Sequence, residues 1–187
     1  MKKYILPSIK LTLVLLVICS VIYPLAIAGI GKFAPGGGKG KTLSVNGKIV
    51  GYADIGQKFD QDKYFWSRPS AVAYNAAGSA GSNKGPTNPD YLKDVQSKID
   101  TFLAHNPGVK KEDIPVDMVT YSGSGLDPDI SPAGAYIQVA RVAKVRGLTK
   151  DKVKILVDEH IEKPFLGFFG IEKVNVLKLN IDLDKLN

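Results

Sequence analysis

The sequence predicts a mixed α/β (α+β) soluble domain carried on a single N-terminal transmembrane helix. Three observations predict it. Leu11 to Gly31 is apolar and uncharged, with Lys10 before it and Lys32 after it. Beyond residue 41, stretches with three-and-four apolar spacing alternate with short strand-like stretches, the pattern of helices packed on a small sheet. The one cysteine, Cys19, falls inside the apolar run, so the domain must hold itself with a packed core rather than disulfides.

The apolar run comes first. About 20 residues of helix, each rising about 1.5 Å, match a hydrocarbon core of about 30 Å. One such helix cannot enclose a permeation path, so any part in transport is that of a subunit. The competing reading is a cleaved signal peptide, with Lys2 and Lys3 as a basic start and Ala26-Ile27-Ala28 as a small-x-small cleavage site. The run continues through Ile30, long for a signal core, which favours retention. Ile18 before Cys19 is too large for lipoprotein processing. The predicted organisation is therefore a short cytoplasmic tail (1–10), the membrane helix (11–31), a Gly-rich tether (32–41) and an extracytoplasmic domain (42–187). Lys2, Lys3 and Lys10 on one side balance Lys32, Lys39 and Lys41 on the other, so charge alone does not orient the helix. A very short N-terminal tail favours the inside, and a long following domain translocates largely regardless of its charge. The expected location is the plasma or inner membrane, single-pass. Tyr23 and Pro24 suit an interfacial aromatic and a local kink.

Composition narrows the remaining classes. The chain has 187 residues, and about 155 follow the apolar run, enough for one domain. Net charge is +7, but three of the 25 basic residues precede the apolar run, leaving a smaller excess over 18 acidic ones. No aromatic-basic tract suggests a nucleic-acid surface. Two histidines, His105 and His160, with no cysteine nearby, give no zinc spacing, so no metal is expected on nitrogen or sulfur ligands.

Within the domain, Thr42 to Tyr52 reads as a hairpin, because Asn46-Gly47 tolerates positive φ at both central positions of a type I′ turn. Asn88-Pro89 opens a helix as N-cap and first helical residue. Leu92, Val95, Ile99, Phe102 and Leu103 then mark a buried face, and Asn106-Pro107-Gly108 ends it. Val116 to Thr120 is a short strand candidate. Ser131-Pro132 starts a second helix with Ala133, Tyr136, Ile137, Val139, Ala140 and Ala143 inward, stopped by Gly147. Thr149 caps a third, with Val153, Leu156, Val157 and Ile161 inward. Val174 to Leu183 reads as a closing strand with a break at Leu177, and the sheet is expected to be mixed. Pro164 to Gly170 is an apolar turn, a docking patch if exposed, with burial in the core the favoured reading.

Two loops remain. Residues 64–89 run from Tyr64-Phe65-Trp66-Ser67-Arg68-Pro69 through Tyr74-Asn75 and Gly81-Ser82-Asn83 to Thr87-Asn88-Pro89. So long a connection without periodicity is commonly functional, and its bland counterpart is an Ω-loop packed on Trp66 and Tyr74. The second loop is Tyr121-Ser122-Gly123-Ser124-Gly125-Leu126-Asp127-Pro128-Asp129-Ile130-Ser131-Pro132. A strand feeding glycines and then a capped helix can hold an anion on the helix N-terminus. Asp127 and Asp129 can gather a cation through oxygen, or bond nearby turn amides. Neither loop is a P-loop, and Ser122 replaces the first glycine of a nucleophile elbow, so no catalytic residue is named. Arg68, Ser82, Asn83, Thr87, Asn88, Ser124 and Asp127 are the loop and partner candidates, with Arg68 set to pair with a loop acid.

These loops resemble one family closely. Arg68-Pro69-Ser70, Tyr74-Asn75, Gly81-Ser82-Asn83 to Pro89 and Ser122 to Pro132 are similar to the C subunit of the Kdp-type potassium-transporting P-type ATPase. The likeness continues through Gln138, Arg141-Val142-Ala143, Arg146-Gly147, Leu156-Val157, Leu166-Gly167 and Val174-Asn175-Val176-Leu177 to Asn180, and includes the single anchor. The chain departs from the family pattern at Ala80, Lys84, Asp129 and Ile171. The resemblance implies an accessory subunit with no cofactor of its own, in a complex that uses ATP to import potassium. Its implied partners are an ATP-hydrolysing pump subunit, a channel-like potassium-binding subunit, a small hydrophobic subunit and the lipid bilayer. The implied role is to stabilise assembly and, as a catalytic chaperone, to raise the pump subunit's ATP affinity. An outer domain would dock over the potassium entrance. The alternative, a subunit binding ATP directly through its Gly/Ser loops, needs a cytoplasmic domain. A free-standing exported hydrolase using Ser124 or Ser82 is the third reading.

Overall fold

The structure, a computed structural model, describes residues 2–186. Met1 and Asn187, the outer limits of the predicted tail and domain, lie outside the described residues. The chain divides into two units, one running through Thr42 and one beginning at Leu43.

The first unit is a continuous helix built of α1 (Lys2–Val17), a π-helical turn (Ile18–Ile22) and α2 (Tyr23–Gly31). Residues 2–10 are therefore helical too. The irregularity expected at Pro24 takes the form of that π turn, in which the Tyr23 N–H donates to the Ile18 carbonyl. Proline has no N–H to give and its ring crowds the carbonyl four residues back, so a wider turn just ahead of it relieves the clash. Lys3–Gly31 is long and apolar enough to cross a membrane, and none of its most apolar window is buried among the described residues. The glycine-rich stretch after it forms successive turns, with Ala34 donating to Gly31 and Gly37 to Ala34.

From the unit boundary the chain forms β1 (Thr42–Val45) and β2 (Lys48–Tyr52), joined by Asn46 at φ 50° and Gly47 at φ 76°, the predicted hairpin turn. The following connection carries no helix or strand among the described residues until α3 (Pro89–His105). Asn88 Oδ1 accepts from the N–H groups of Asp90 and Tyr91, the predicted cap. The inward face of α3 is narrower than its periodicity suggests. Phe102 is buried, whereas Leu92 is exposed.

The strand expected at Val116 to Thr120 is a 3-10 turn at Val116–Met118. Thr120 bonds back to the Val116 carbonyl through both its N–H and its hydroxyl, and Pro115 has no N–H for a ladder, so the segment closes on itself. Then come β3 (Asp129–Ile130), α4 (Pro132–Tyr136) and α5 (Val139–Arg146). The single helix predicted here is interrupted at Gln138, whose amide nitrogen donates to the Gly134 carbonyl at 2.8 Å while its N–H bonds Ala135. Ala133 and Ala140 face out; Ala135, Val139, Val142 and Ala143 face in. Gly147 ends α5 at φ 67°, and α6 (Lys150–Glu159) is capped by Thr149 as predicted. β4 (Ile161–Glu162), β5 (Lys173–Asn175) and α7 (Val176–Leu183) complete the unit.

The closing strand is corrected to three residues followed by a helix. Asn175 Oδ1 accepts from the Lys178 N–H and caps α7, and Val176, Leu179, Asn180 and Leu183 recur at helical spacing. The break at Leu177 was the period changing. The sheet is antiparallel rather than mixed, in the order β3-β5-β4, with Ile130 and Ile161 both opposite Val174. Phe65, Phe102, Val142, Val157, Leu179 and Leu183 anchor the core between this sheet and the helices. Pro164 to Gly170 is not buried. It leaves the sheet as a turn between β4 and β5 with its phenylalanines in solvent, because strands this short cannot fold it back over the core.

Candidate functional site

The loops are positioned by buried polar side chains, in place of a strand ladder. Asn180 of α7 brackets Phe65, accepting from its N–H and donating to its carbonyl, each at 2.9 Å. Gln138 accepts from the Trp66 N–H at 2.7 Å. Arg141, buried in α5, donates through Nε to Asn106 Oδ1 at 3.0 Å, through Nη1 to the Tyr64 carbonyl at 3.0 Å and through Nη2 to Gln138 Oε1 at 2.7 Å. Its guanidinium also stacks 4.7 Å from the Trp66 ring. Burial lowers its pKa to about 10, against a smaller upward pull from Asp62, so it remains charged at neutral pH. Arg146 donates to the Lys63 carbonyl and to Asp184, and Tyr64 donates to the same carboxylate. Asn175 donates to the Ala53 carbonyl. Thus α5 and α7 fix the path of the chain from Asp62 to Trp66.

From there the two loops lie against one another. Arg68 Nη1 donates to Asp127 Oδ2 at 2.9 Å. Ser70 Oγ donates to the Gly125 carbonyl at 2.6 Å while accepting from the Tyr74 N–H, and the Tyr74 hydroxyl donates to the Arg68 carbonyl. Ser79 donates to the Ser124 carbonyl, and the Ser122 N–H to that of Pro69. Gly125, at φ 67°, passes so close that a Cβ would lie 2.6 Å from Val72 and 2.7 Å from the Ala80 carbonyl oxygen. Tyr74 is half-buried, and desolvation followed by the charge of Asp60 raises its pKa to about 12.

Of the sequence-selected residues, the fold joins Arg68, Ser124 and Asp127 at this seam. Ser124 Oγ accepts from the Leu126 N–H. Ser82 is half-buried next to Gly81, which lies close beside the Gly123 carbonyl. Asn83 is exposed at φ 54°, Thr87 is exposed, and Asn88 is spent on capping α3. These last three lead away from the seam.

Beside the seam, Arg68, Asp117, Asp127, Asp129, Ser131 and Lys173 help line a cleft of about 460 Å³. The helix N-terminus proposed as an anion site already holds a carboxylate. Asp117 accepts from the Ser131 N–H at 2.8 Å and from its hydroxyl at 3.1 Å. Asp127 Oδ1 accepts from the Asp129 N–H, and Asp129 bonds Lys173 and Asn175. Arg68 Nε is buried without a hydrogen-bond partner among the described residues. No group of three or more His, Cys, Asp or Glu residues is disposed to hold a metal ion among the described residues. His105 pairs with Asp62 and packs on the Trp66 ring, and His160 pairs with Asp182 and the Leu156 carbonyl, so neither ring is bonded to a serine among the described residues. The polar groups here mainly hold each other, which makes a rigid surface.

Sequence reasoning read Gln138, Arg141, Arg146, Asn175 and Asn180 only as points of resemblance. Their structural work had a signal: polar residues interleaved with the inward stripes of α5 and α7, where an unpaired polar group would be costly.

Comparison with known proteins gives a consistent result. The sequence model of the KdpC family, described as K+-transporting ATPase, c chain, matches residues 5–185. A protein of Flavobacterium psychrophilum named Potassium-transporting ATPase KdpC subunit is 62% identical over 184 residues, covering 98% of this chain and 99% of the relative. Proteins of the same name from Bacteroides fragilis and Janthinobacterium sp. (strain Marseille) are 54% and 47% identical, each covering at least 98% of both chains.

Proposed function

The chain belongs to the KdpC family, the c chain of K+-transporting ATPases, and from that premise we propose that it is a non-catalytic accessory subunit of an ATP-driven potassium import complex. Family membership implies partner chains and a complex that uses ATP and potassium. The finer reading is that α1 and α2 form a single-pass anchor with the N-terminus in the cytoplasm, and that the second unit is extracytoplasmic. Its partners are then the pump subunit, the channel-like subunit, the small hydrophobic subunit and the bilayer lipids.

The observation that carries this reading is the division of labour along the chain. An apolar helix with its side chains exposed precedes a unit whose conspicuous polar residues are largely engaged with one another. Such a unit suits docking, and among the described residues it offers no assembled nucleophile. On this reading the outer domain seats over the potassium entrance, stabilising assembly and regulating access. Any rise in the pump subunit's ATP affinity is then a coupling through the complex, limited by the subunit's differential contacts with the pump's conformational states.

Deleting Gly36 to Asn187 while retaining the helix is expected to abolish high-affinity potassium uptake by cells that depend on the complex. Unchanged uptake would contradict the proposal. Direct ATP binding through the loops requires a cytoplasmic domain. In a Cys19→Ser background, Ser82→Cys is expected to react with a membrane-impermeant thiol reagent applied outside the inner membrane. Labelling only after that membrane is opened would favour the nucleotide-binding alternative.

A further inference from the structure

Five large apolar side chains stand exposed together between β4 and β5: Phe165 at 71%, Leu166 at 68%, Phe168 at 69%, Phe169 at 59% and Ile171 at 78%. The segment is a formed turn. Phe165 donates to the Phe169 carbonyl at 3.0 Å, Gly167 to Pro164 at 2.9 Å, and Phe168 and Phe169 both to Phe165. The Phe168 and Phe169 rings lie 4.2 Å apart. An apolar tip of this size calls for a covering surface.

We propose that this turn inserts its tip into the lipid bilayer that α1–α2 enters, giving the domain a second contact with the membrane. The proposal rests on the anchoring reading above. The hot spots of protein interfaces favour Tyr, Trp and Arg, which join apolar area to a polar handle, and under-represent Leu. This tip offers Phe, Leu and Ile, with no polar side-chain atom. Backbone N–H groups at Phe165, Gly167, Phe168 and Phe169 are already paired within the turn, so fewer backbone donors have to be stripped of water when the tip leaves it.

Reach is sufficient. The ten residues of 32–41 span at most about 35 Å when extended, and a domain of this length has a radius of gyration of about 15 Å. The tether therefore leaves the domain room to reorient beside a bilayer entered by the helix. Charge plays a small part. Exposed Lys163 and Glu172 flank the turn with opposite signs, and Lys173 pairs with Asp129. Insertion should then need no anionic lipid and resist added salt, as apolar burial rather than headgroup attraction drives it.

The test uses the full chain in phosphatidylcholine vesicles containing lipids that carry a quencher on the acyl chain. An environment-sensitive fluorophore is placed at Phe168→Cys, or at Ser97→Cys on the exposed side of α3, each in a Cys19→Ser background. Native Cys19 is labelled in a third sample to report on the anchor. The proposal expects a blue shift and loss of most emission at position 168, little change at 97, and no reversal by high salt. A label at 168 that stays in water while the Cys19 label is quenched overturns it. A blue shift at 168 without lipid quenching, appearing only when the other subunits are present, also overturns it, in favour of a protein occupant. Quenching at 168 without quenching at Cys19 would sink the anchor reading and leave the turn's insertion standing. Absence of quenching at both sites removes both.

Discussion

Arg141 shows how much of this protein depends on single buried polar groups. It reaches Asn106, Gln138 and the Tyr64 carbonyl from one guanidinium. Arg141→Ala strands those acceptors in the interior, and we expect a loss of about 3 kcal/mol or more. Urea unfolding of the full chain in detergent would measure it, and a loss below about 1 kcal/mol would show that water readily replaces the side chain. Tyr74 makes a different prediction. Its hydroxyl is held protonated up to about 12, whereas an unfolded tyrosine titrates near 10. The native state therefore binds the extra proton between those values. The stabilisation is whole below about pH 10 and is lost as pH rises toward about 12. At about 1.4 kcal/mol per unit, discounted for partial solvent access, about 2 kcal/mol should disappear across that window. Tyr74→Phe should flatten this part of the stability–pH curve, while an unchanged slope would assign it to other tyrosines such as Tyr64 and Tyr136.

Among the elements, the loop seam and the caps make the sharpest predictions. Gly125→Ala combines a positive φ with a Cβ against the Ala80 carbonyl oxygen, so it should cost about 2 kcal/mol and loosen the contact that Ser70 and Ser79 make with the second loop. Proteolysis of the 64–89 connection should accelerate, and unchanged protection would mean that the loops hold without the close approach. Asn88→Ala should cost only about 1 kcal/mol, since it removes one cap from a long helix. Local chemistry made such features legible in advance: Asn46-Gly47, Asn88-Pro89, Ser131-Pro132 and Thr149 each name their own turn or cap. What stayed hidden needed the third dimension. Val174 to Leu183 mixes two periods, and only the pairing of Asn175 with the Lys178 amide shows where strand becomes helix. The inward placement of Gln138 and Arg141 depends on partners more than 70 residues away in the chain, Trp66 and Tyr64. Among the site candidates, Arg68 and Asp127 meet, while Thr87 and Asn88 are carried off toward α3.

For the molecule as a whole, an apolar helix with exposed side chains and a domain with an exposed apolar turn both ask for surfaces that one chain does not supply. The helix was evident from the run of uncharged residues. The turn was misjudged because an apolar stretch between strands reads as core until the shortness of β4 and β5 is known. Family membership explains why such a chain exists: it is built to be completed by others. The most direct test is gentle detergent extraction of the tagged full chain from its native membranes under potassium limitation, followed by mass identification of the chains that accompany it. The account predicts a large ATP-hydrolysing pump subunit and a channel-like subunit arriving in fixed ratio. A chain that arrives alone, or shortened after Ala28, would contradict it.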